Sequence, residues 1–218
     1  MKDHTTKSEA PKELKTPEQN KVAEQAKMLA QNKAEGKMEM PAQEDTRNLV
    51  DRFKGMANAD IIRTLDKERL PLEVAIENLS HDFNIGTIIR NANAFNLAKV
   101  HIVGKHKYNR RGAMVTDKYM HLDFFACAED FVKDAHERGY KVIAIENNRP
   151  RSRALGKMKD VKNSILVFGS ESDGLSKAMA ELADEMYFIE QLGSTRSINV
   201  GCASAVALYQ AAKLLGAF

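Results

Sequence analysis

The stretch Ser164–Ser176, SILVFGSESDGLS, decides the fold of this chain. Its first part, Ile165–Phe168, is an apolar and β-branched run with the length and composition of a strand buried on both faces. Gly169 and Gly174 then frame a lone carboxylate at Glu171, and a helix is predicted to follow. Open α/β sheets bind their ligands outside the carboxyl ends of the strands, where turns of this kind lie. The stretch predicts a ligand-binding turn, and the alternative is an ordinary loop with a solvated acid.

Strands alternate with helices from Pro71 onward, which predicts an α/β fold with a mostly parallel sheet covered by helices on both faces. The predicted strands are Leu72–Ile76, Val100–Val103, Phe124–Cys127, Val142–Ile145, Ile165–Phe168 and Met186–Ile189. The predicted helices are Ile85–Phe95, Glu129–Arg138, Leu175–Leu182 and Asn199–Leu215.

The N-terminal third of the chain differs in composition from the rest. Residues 1–47 are rich in Lys, Glu, Gln, Ala and Thr, with positive and negative charges that nearly cancel. Because their apolar face is too thin to pack, a charged and flexible, partly helical tail is predicted here. Residues 48–70 have more regular apolar spacing, which predicts a helical extension of two short helices separated by Gly55 and Asn58. Residues 71–218 form the predicted α/β domain.

The charge and hydrophobic composition of the chain limit the kinds of partner it can have. The chain of 218 residues carries 33 Lys and Arg against 30 Asp and Glu, a formal net charge of +3. This mildly basic balance permits a nucleic-acid partner without requiring one. No apolar run approaches the roughly 20 residues of a membrane span, and the charged N-terminus lacks an apolar signal core. A cytoplasmic protein without a membrane partner is predicted.

Cysteine and histidine give no sign of a metal site. Cys127 and Cys202 lie far apart in apolar segments, so they are predicted to be buried free thiols rather than a disulfide or a metal pair. The six histidines have no spacing typical of metal ligands. No metal is therefore predicted.

Two further stretches have compositions that folding alone does not readily explain. In the first, Asn84 stands at a predicted helix start and Arg90 follows one turn beyond Gly86, an arrangement suited to holding a phosphate. In the second, Ser197 and Asn199 bracket the start of the last helix, where they could cap the helix, orient a ligand or do both. A solvated arginine and plain helix capping are the alternatives.

Two basic loops leave the carboxyl ends of predicted strands. The first basic loop, residues 104–112, contains Lys105, His106, Lys107, Tyr108, Arg110 and Arg111. The second basic loop, residues 147–162, contains Asn147, Asn148, Arg149, Arg151, Arg153, Lys157 and Lys159. Positive charge gathered at the mouth of a site suits a phosphate backbone, which predicts an RNA partner and salt-sensitive binding. Two solvated loops are the alternative.

Several familiar site motifs are missing from the sequence. G-x-G-x-x-G does not follow the first strand, which argues against a dinucleotide site. The turn Gly169–Gly174 has neither the G-K-[ST] ending of a phosphate loop nor the G-x-S-x-G of a nucleophile elbow. The remaining candidates are a small-molecule cofactor held mainly by backbone and an anionic substrate.

The order of three motifs resembles one family. N-x-G-x-x-x-R at Asn84–Arg90, G-x-E-x-x-G-L at Gly169–Leu175 and S-[IL]-N-V at Ser197–Val200 resemble the SpoU (TrmH-type) RNA 2′-O-ribose methyltransferases of the SPOUT superfamily. The resemblance implies an α/β methyltransferase domain with a C-terminal trefoil knot, and S-adenosyl-L-methionine bound in that knot. It also implies methyl transfer to a ribose 2′-hydroxyl of tRNA or rRNA, by a homodimer whose subunits together form the active site.

The resemblance assigns roles to individual residues. The residues it places in the catalytic site are Asn84, Arg90, Glu171, Ser197 and Asn199, and those it places at the cofactor are Gly169, Ile189 and Ile198. Asn84 and Arg90 would lie at the substrate ribose and phosphate, and Glu171 would support that site. Ser197 and Asn199 would position the catalytic arginine and the loop. Because a guanidinium is essentially never deprotonated in proteins, Arg90 is expected to be an electrostatic activator, with the base unassigned.

Two other functions compete with this one. A catalytically inactive RNA-binding protein with the same fold is disfavoured, because all five candidate catalytic residues are present. A nucleotide-dependent oxidoreductase on a similar sheet is opposed by the missing glycine fingerprint. The sequence does not distinguish tRNA from rRNA as the substrate.

Overall fold

The computed structural model describes residues 48–78, 84–147, 149–170 and 173–218. Its strands are β1 Leu70–Asn78, β2 Leu97–Gly104, β3 Leu122–Phe125, β4 Lys141–Ile145, β5 Arg153–Ala154, β6 Ser164–Phe168 and β7 Glu185–Phe188. Its α-helices are α1 Asn58–Asp66, α2 Ile85–Ala94, α3 Ala128–Glu137, α4 Lys177–Leu182 and α5 Val200–Leu214. Single 3-10 turns lie at Asp51–Phe53, Arg110–Ala113, Thr116–Tyr119 and Leu155–Lys157.

The seven strands form one sheet in the order β3-β2-β1-β6-β4-β7-β5, and every pairing is parallel. The interior strand β1 pairs on one side with β2, where Val74 faces Val100, and on the other with β6, where Val74 faces Leu166. The chain thus places β2 and β3 on one side of β1 and then crosses over to place β4, β5, β6 and β7 on the other side. Such a reversal of strand order is where open α/β sheets bind ligands.

Helices cover both faces of the sheet, as predicted. Residues of β6 alternate between two cores: Leu166 and Phe168 pack with α2 and α5, while Ile165 and Val167 pack with α3 and α4. All four side chains are buried. A strand with helices on each side has no polar face, and this explains the continuous apolar run of β6.

The helical extension packs as a third, smaller core. Ile61 and Leu65 of α1 are buried against Phe53 and Tyr119. The prediction that Asn58 separates two helices is wrong, because Asn58 is the first residue of α1. No side chain caps this helix, so packing of its apolar face rather than a polar cap determines where it begins.

Most predicted elements are confirmed to within two residues, and two differences have a physical reason. The strand β3 lies two residues before its predicted position, because Phe125 pairs with Val103 and Cys127 becomes the N-cap residue of α3. The second basic loop contains β5, which was not predicted. Its two residues add to the sheet edge beside Tyr187, and two residues are too few to show a period.

The two cysteines are free, but they are less buried than predicted. Cys127 is half-buried and Cys202 is exposed. The prediction is wrong for Cys202 because α5 turns Gly201 and Ser204 toward the protein interior, which leaves Cys202 facing outward. Among the described residues no helix is long and apolar enough to cross a membrane. In the same residues no group of three His, Cys, Asp or Glu side chains could hold a metal ion.

Candidate functional site

A cavity of about 760 Å³ opens at the carboxyl ends of β4, β6 and β7. Its wall combines the turn after β6 with the loop that leads into α5, and it includes Glu146, Phe168, Gly169, Ser170, Gly174, Ile189, Ser197, Ile198, Asn199 and Ala203. The volume lies in the range of about 300–1,000 Å³ typical of small-molecule sites. The cavity sits at the sheet edge where the sequence predicts a ligand.

The turn after β6 is closed tightly on itself. Ser170 and Gly174 exchange two backbone hydrogen bonds with N to O distances of 3.1 and 3.0 Å. Gly174 has a φ of +67°, and a Cβ placed on Gly169 would overlap the carbonyl group of Gly174. The two glycines are therefore needed for a close backbone approach. Glu171, the predicted supporting acid, lies outside the described residues.

Two carboxylates that sequence patterns did not single out hold this turn. The Glu146 carboxylate, just after β4, accepts hydrogen bonds from the backbone N–H of Asn147 at 2.9 Å and of Leu175 at 3.2 Å. Glu77, buried near the end of β1, accepts one from the N–H of Ser176 at 2.7 Å. Both acids thus bind N–H groups just ahead of α4, where a helix favours negative charge. An acid at the end of an apolar strand was the signal available for Glu77.

The first and third motifs meet through a pair of amides. The Nδ2 of Asn199 donates to the Oδ1 of Asn84 at 3.1 Å, and the Oδ1 of Asn199 accepts from the N–H of Cys202 at 3.2 Å. Asn199 therefore caps α5 and ties it to the start of α2 at the same time. A Cβ on Gly201 would lie 2.9 Å from the Cγ2 of Thr87, so glycine allows this contact.

A second amide joins the same two helices two turns further along α2. The Nδ2 of Asn91 donates to the carbonyl of Gly201 and to the Oγ of Ser204, both at 2.9 Å. Asn84, Thr87 and Asn91 recur at helical spacing, so one polar face of α2 lies against α5. Small residues at the start of α5, such as Gly201 and Ala203, permit this approach.

The side chain of Arg90 does not contribute to the cavity wall. It is exposed, and its Nη2 donates to the Oδ1 of Asn48 at 3.4 Å. Gly86, one turn earlier on the same face, packs on the first basic loop, where a Cβ would lie 2.9 Å from the carbonyl oxygen of Asn109. The face of α2 that carries Arg90 is therefore distinct from the face that meets Asn199.

A family model described as the SpoU rRNA Methylase family matches residues 71–209, more than half of the chain. This chain belongs to the SpoU rRNA methylase family. It is similar to the tRNA (guanosine(18)-2′-O)-methyltransferase of Thermus thermophilus, with 28% identity over 155 residues that cover 69% of this chain and 79% of the relative. The enzyme of the same name from Escherichia coli K12 is 25% identical over 158 residues, 70% of this chain and 68% of the relative.

Solved structures of SpoU proteins share the fold. The Aquifex aeolicus TrmH/SpoU tRNA modifying enzyme matches with a TM-score of 0.64 at 23% identity, covering 72% of this chain and 81% of that chain. The SpoU methyltransferase AviRb from Streptomyces viridochromogenes, solved in complex with the cofactor AdoMet, gives 0.58 at 20% identity, covering 65% and 56%. The predicted α/β fold class is confirmed.

The SpoU motif residues gather at the cavity with two exceptions. The predicted residues that line it are Gly169, Ile189, Ser197, Ile198 and Asn199. Asn84 reaches the wall through its hydrogen bond to Asn199. Arg90 lies outside the wall, and Glu171 is not among the described residues.

Several arginines of the second basic loop form hydrogen bonds within the protein. Arg149 donates to the carbonyl of Leu175 at 3.2 Å, and Arg151 donates to that of Ala183 at 2.8 Å. Arg153 donates to the hydroxyl of Tyr187 at 2.8 Å. These arginines hold α4 and β7, so the loop offers less unpaired positive charge than its sequence predicts.

Proposed function

We propose that this chain is an S-adenosyl-L-methionine-dependent methyltransferase that modifies a ribose 2′-hydroxyl in tRNA or rRNA. The observation on which this proposal depends is the cavity between the turn after β6 and the loop before α5. The hydrogen bond from Asn199 to Asn84 holds that loop in place. Membership of the SpoU family and relatives named tRNA (guanosine(18)-2′-O)-methyltransferases support the reaction and an RNA substrate.

The cavity wall fits S-adenosyl-L-methionine. Gly169, Ile189 and Ile198 present backbone groups and apolar surface, which suit an adenosine moiety. The same wall carries the carboxylates of Glu146 and Asp173 and the guanidinium groups of Arg149 and Arg196, so it offers charges of both signs to a ligand that itself carries both. When bound there, the cofactor supplies a methyl group on a positively charged sulfur.

Residues of the chain itself orient the RNA and activate its hydroxyl group. Asn199 fixes the loop that forms one side of the cavity, and exposed Ser197 stands at its rim, where RNA can be oriented. Glu171 supports the substrate site. Arg90 draws in the ribose and its phosphate and makes the hydroxyl a better nucleophile; as a permanent cation it is not the base. The base is unassigned.

The position of Arg90 supports a homodimer. Because Arg90 lies outside the wall of its own cavity, a second subunit is the natural source of this group at each site. On α5, Val206 and Tyr209 remain 45% and 50% exposed beside a second, apolar cavity of about 520 Å³. Exposed apolar side chains grouped in this way are typical of an interface with another copy.

Three family expectations complete the proposal. The C-terminal segment forms a trefoil knot, the protein works in the cytoplasm, and the chain divides into a tail at residues 1–47, a helical extension at 48–70 and a methyltransferase domain at 71–218. The tail lies outside the described residues.

Two measurements test the function. Isothermal titration calorimetry is expected to detect S-adenosyl-L-methionine binding, and RNA from cells without the protein is expected to lack one 2′-O-methyl mark. No binding at millimolar cofactor would favour the inactive RNA-binding protein. Binding of NAD(H) instead would favour the oxidoreductase.

A further inference from the structure

The first basic loop carries an exposed aromatic stack. The imidazole of His106 lies on the ring of Phe124, with 4.0 Å between ring centroids and 29° between ring planes. His106 is exposed, and Phe124 is 37% exposed although it belongs to the edge strand β3. Phe124 is thus a strand residue that the core covers only in part and that the imidazole of His106 stacks on.

A buried amide fixes this loop before any ligand arrives. Asn78, fully buried at the end of β1, donates through Nδ2 to the carbonyl groups of Lys105 and, at 3.1 Å, of Lys107. The N–H of Lys105 donates back to the carbonyl of Asn78 at 3.0 Å. Gly104, at a φ of +100°, allows the close turn. His106 sits between the two held carbonyls, so its place over Phe124 is preorganised, which lowers the entropic cost of binding.

Positive charge surrounds the stack. Lys105 and Lys107 flank His106, and Arg111 is exposed in the same loop. In the described part of the chain, no carboxylate forms an ion pair with Lys105 or Arg111, whereas Arg110 is paired with Asp117. Aromatic rings beside basic side chains are the combination with which proteins bind unpaired nucleotides, through bases and phosphates respectively.

The stack lies at the same edge of the sheet as the cavity. The ends of β2 and β3 are two and three strands away from the end of β6. With neighbouring strands about 4.8 Å apart, the separation is roughly 10 to 15 Å. Nucleotides close to the modified one along an RNA strand can bridge that span.

We propose that His106 and Phe124 form a stacking platform for an unpaired base of the substrate RNA, next to the nucleotide that receives the methyl group. The platform rests on the proposed function for the identity of its ligand. It adds a contact that selects an unpaired region of RNA, which phosphate binding by the basic loop does not provide.

The test uses the full chain and two fluorescein-labelled single-stranded RNAs of about twelve nucleotides. One carries all its bases, and the other has abasic riboses at its central positions. The unsubstituted protein is expected to bind the first about five-fold more tightly or better, from about 1 kcal/mol or more per stacked base. His106→Ala and Phe124→Leu are expected to remove this preference and to leave the affinity for the abasic strand within about two-fold.

Two further variants serve as controls. His136→Ala removes an exposed histidine that contacts Asp184 at the far end of α3, and it is expected to keep the preference. Lys105→Ala is expected to weaken binding of both strands equally, because it removes a phosphate contact.

Equal binding of the two strands by the unsubstituted protein, or a preference that survives His106→Ala, overturns the platform. If His106→Ala changes the sedimentation of the protein and keeps the RNA preference, the platform is also overturned. The surface is then assigned to contact with a second copy of the chain. Failure of the proposed function is seen separately, as absence of S-adenosyl-L-methionine binding in calorimetry of the unsubstituted protein.

Discussion

Glu73 of β1 is a buried carboxylate with two basic side chains, His101 and Arg138, beside it. It contacts the Nε2 of His101 at 2.7 Å and the guanidinium of Arg138 through two hydrogen bonds of 3.0 Å. Burial works to raise the pKa of Glu73, but hydrogen bonds and charge from His101 and Arg138 outweigh it and lower the pKa to about 2. A carboxylate with a lowered folded-state pKa stabilises the fold above its unfolded pKa, here near 4.5.

The free energy of unfolding is therefore expected to fall as the pH drops from about 5 to 2, by up to about 3 kcal/mol from this group. Glu73→Gln is expected to be less stable at neutral pH and to lose most of that slope. Urea denaturation at several pH values measures both quantities. Glu137→Gln, at an exposed site on α3, is the matched control, and an equal slope in Glu73→Gln would contradict the assignment.

Arg90 gives a second prediction for a single residue. Arg90→Ala is expected to lower methyl transfer by about 100-fold or more, the size of effect seen when a charge-stabilising group is removed. Cofactor binding is expected to persist, because Arg90 lies outside the cavity wall. Transfer of labelled methyl groups to RNA, alongside calorimetry, separates the two effects. An active Arg90→Ala enzyme would refute the role.

At the scale of elements, the turn after β6 depends on having no side chain at Gly169. Gly169→Ala places a Cβ against the carbonyl of Gly174 and must displace backbone, so cofactor affinity is expected to fall by about ten-fold or more. Gly156→Ala is the control, since its Cβ would be 3.5 Å from the Oε1 of Glu190, an ordinary contact. Calorimetry compares the two variants, and equal affinities would show that the turn does not form the cofactor site.

Sequence patterns predict the elements of this fold better than the contacts between them. The continuous apolar run of β6 indicates a strand buried on both faces, and the apolar spacing of α2 indicates a helix buried on one face. Asn199 was recognisable as a cap for the same local reason. Glu146 was missed because its partner, the N–H of Leu175, is 29 residues away and no local pattern encodes that pairing.

At the scale of the whole molecule, the proposed homodimer predicts complementation between Arg90→Ala and Gly169→Ala, assayed at a cofactor concentration too low to fill the Gly169→Ala cavity. In a mixed dimer of Arg90→Ala and Gly169→Ala subunits, one cavity has an intact turn and receives Arg90 from the other subunit. Mixing and refolding the two variants is therefore expected to restore about a quarter of the activity, from random pairing of subunits. A mixture as inactive as its components would show that each Arg90 serves its own cavity.

The hydrogen bond between Asn199 and Asn84 has a consequence for synthesis of the protein. It joins residues 115 positions apart, and the cavity wall it supports extends to Ala203. On the ribosome the early strands can form while the pocket still lacks one side. A nascent chain that ends before Val200 has no complete place for the cofactor, so the ability to modify RNA arises only after the loop before α5 and the start of α5 have been made.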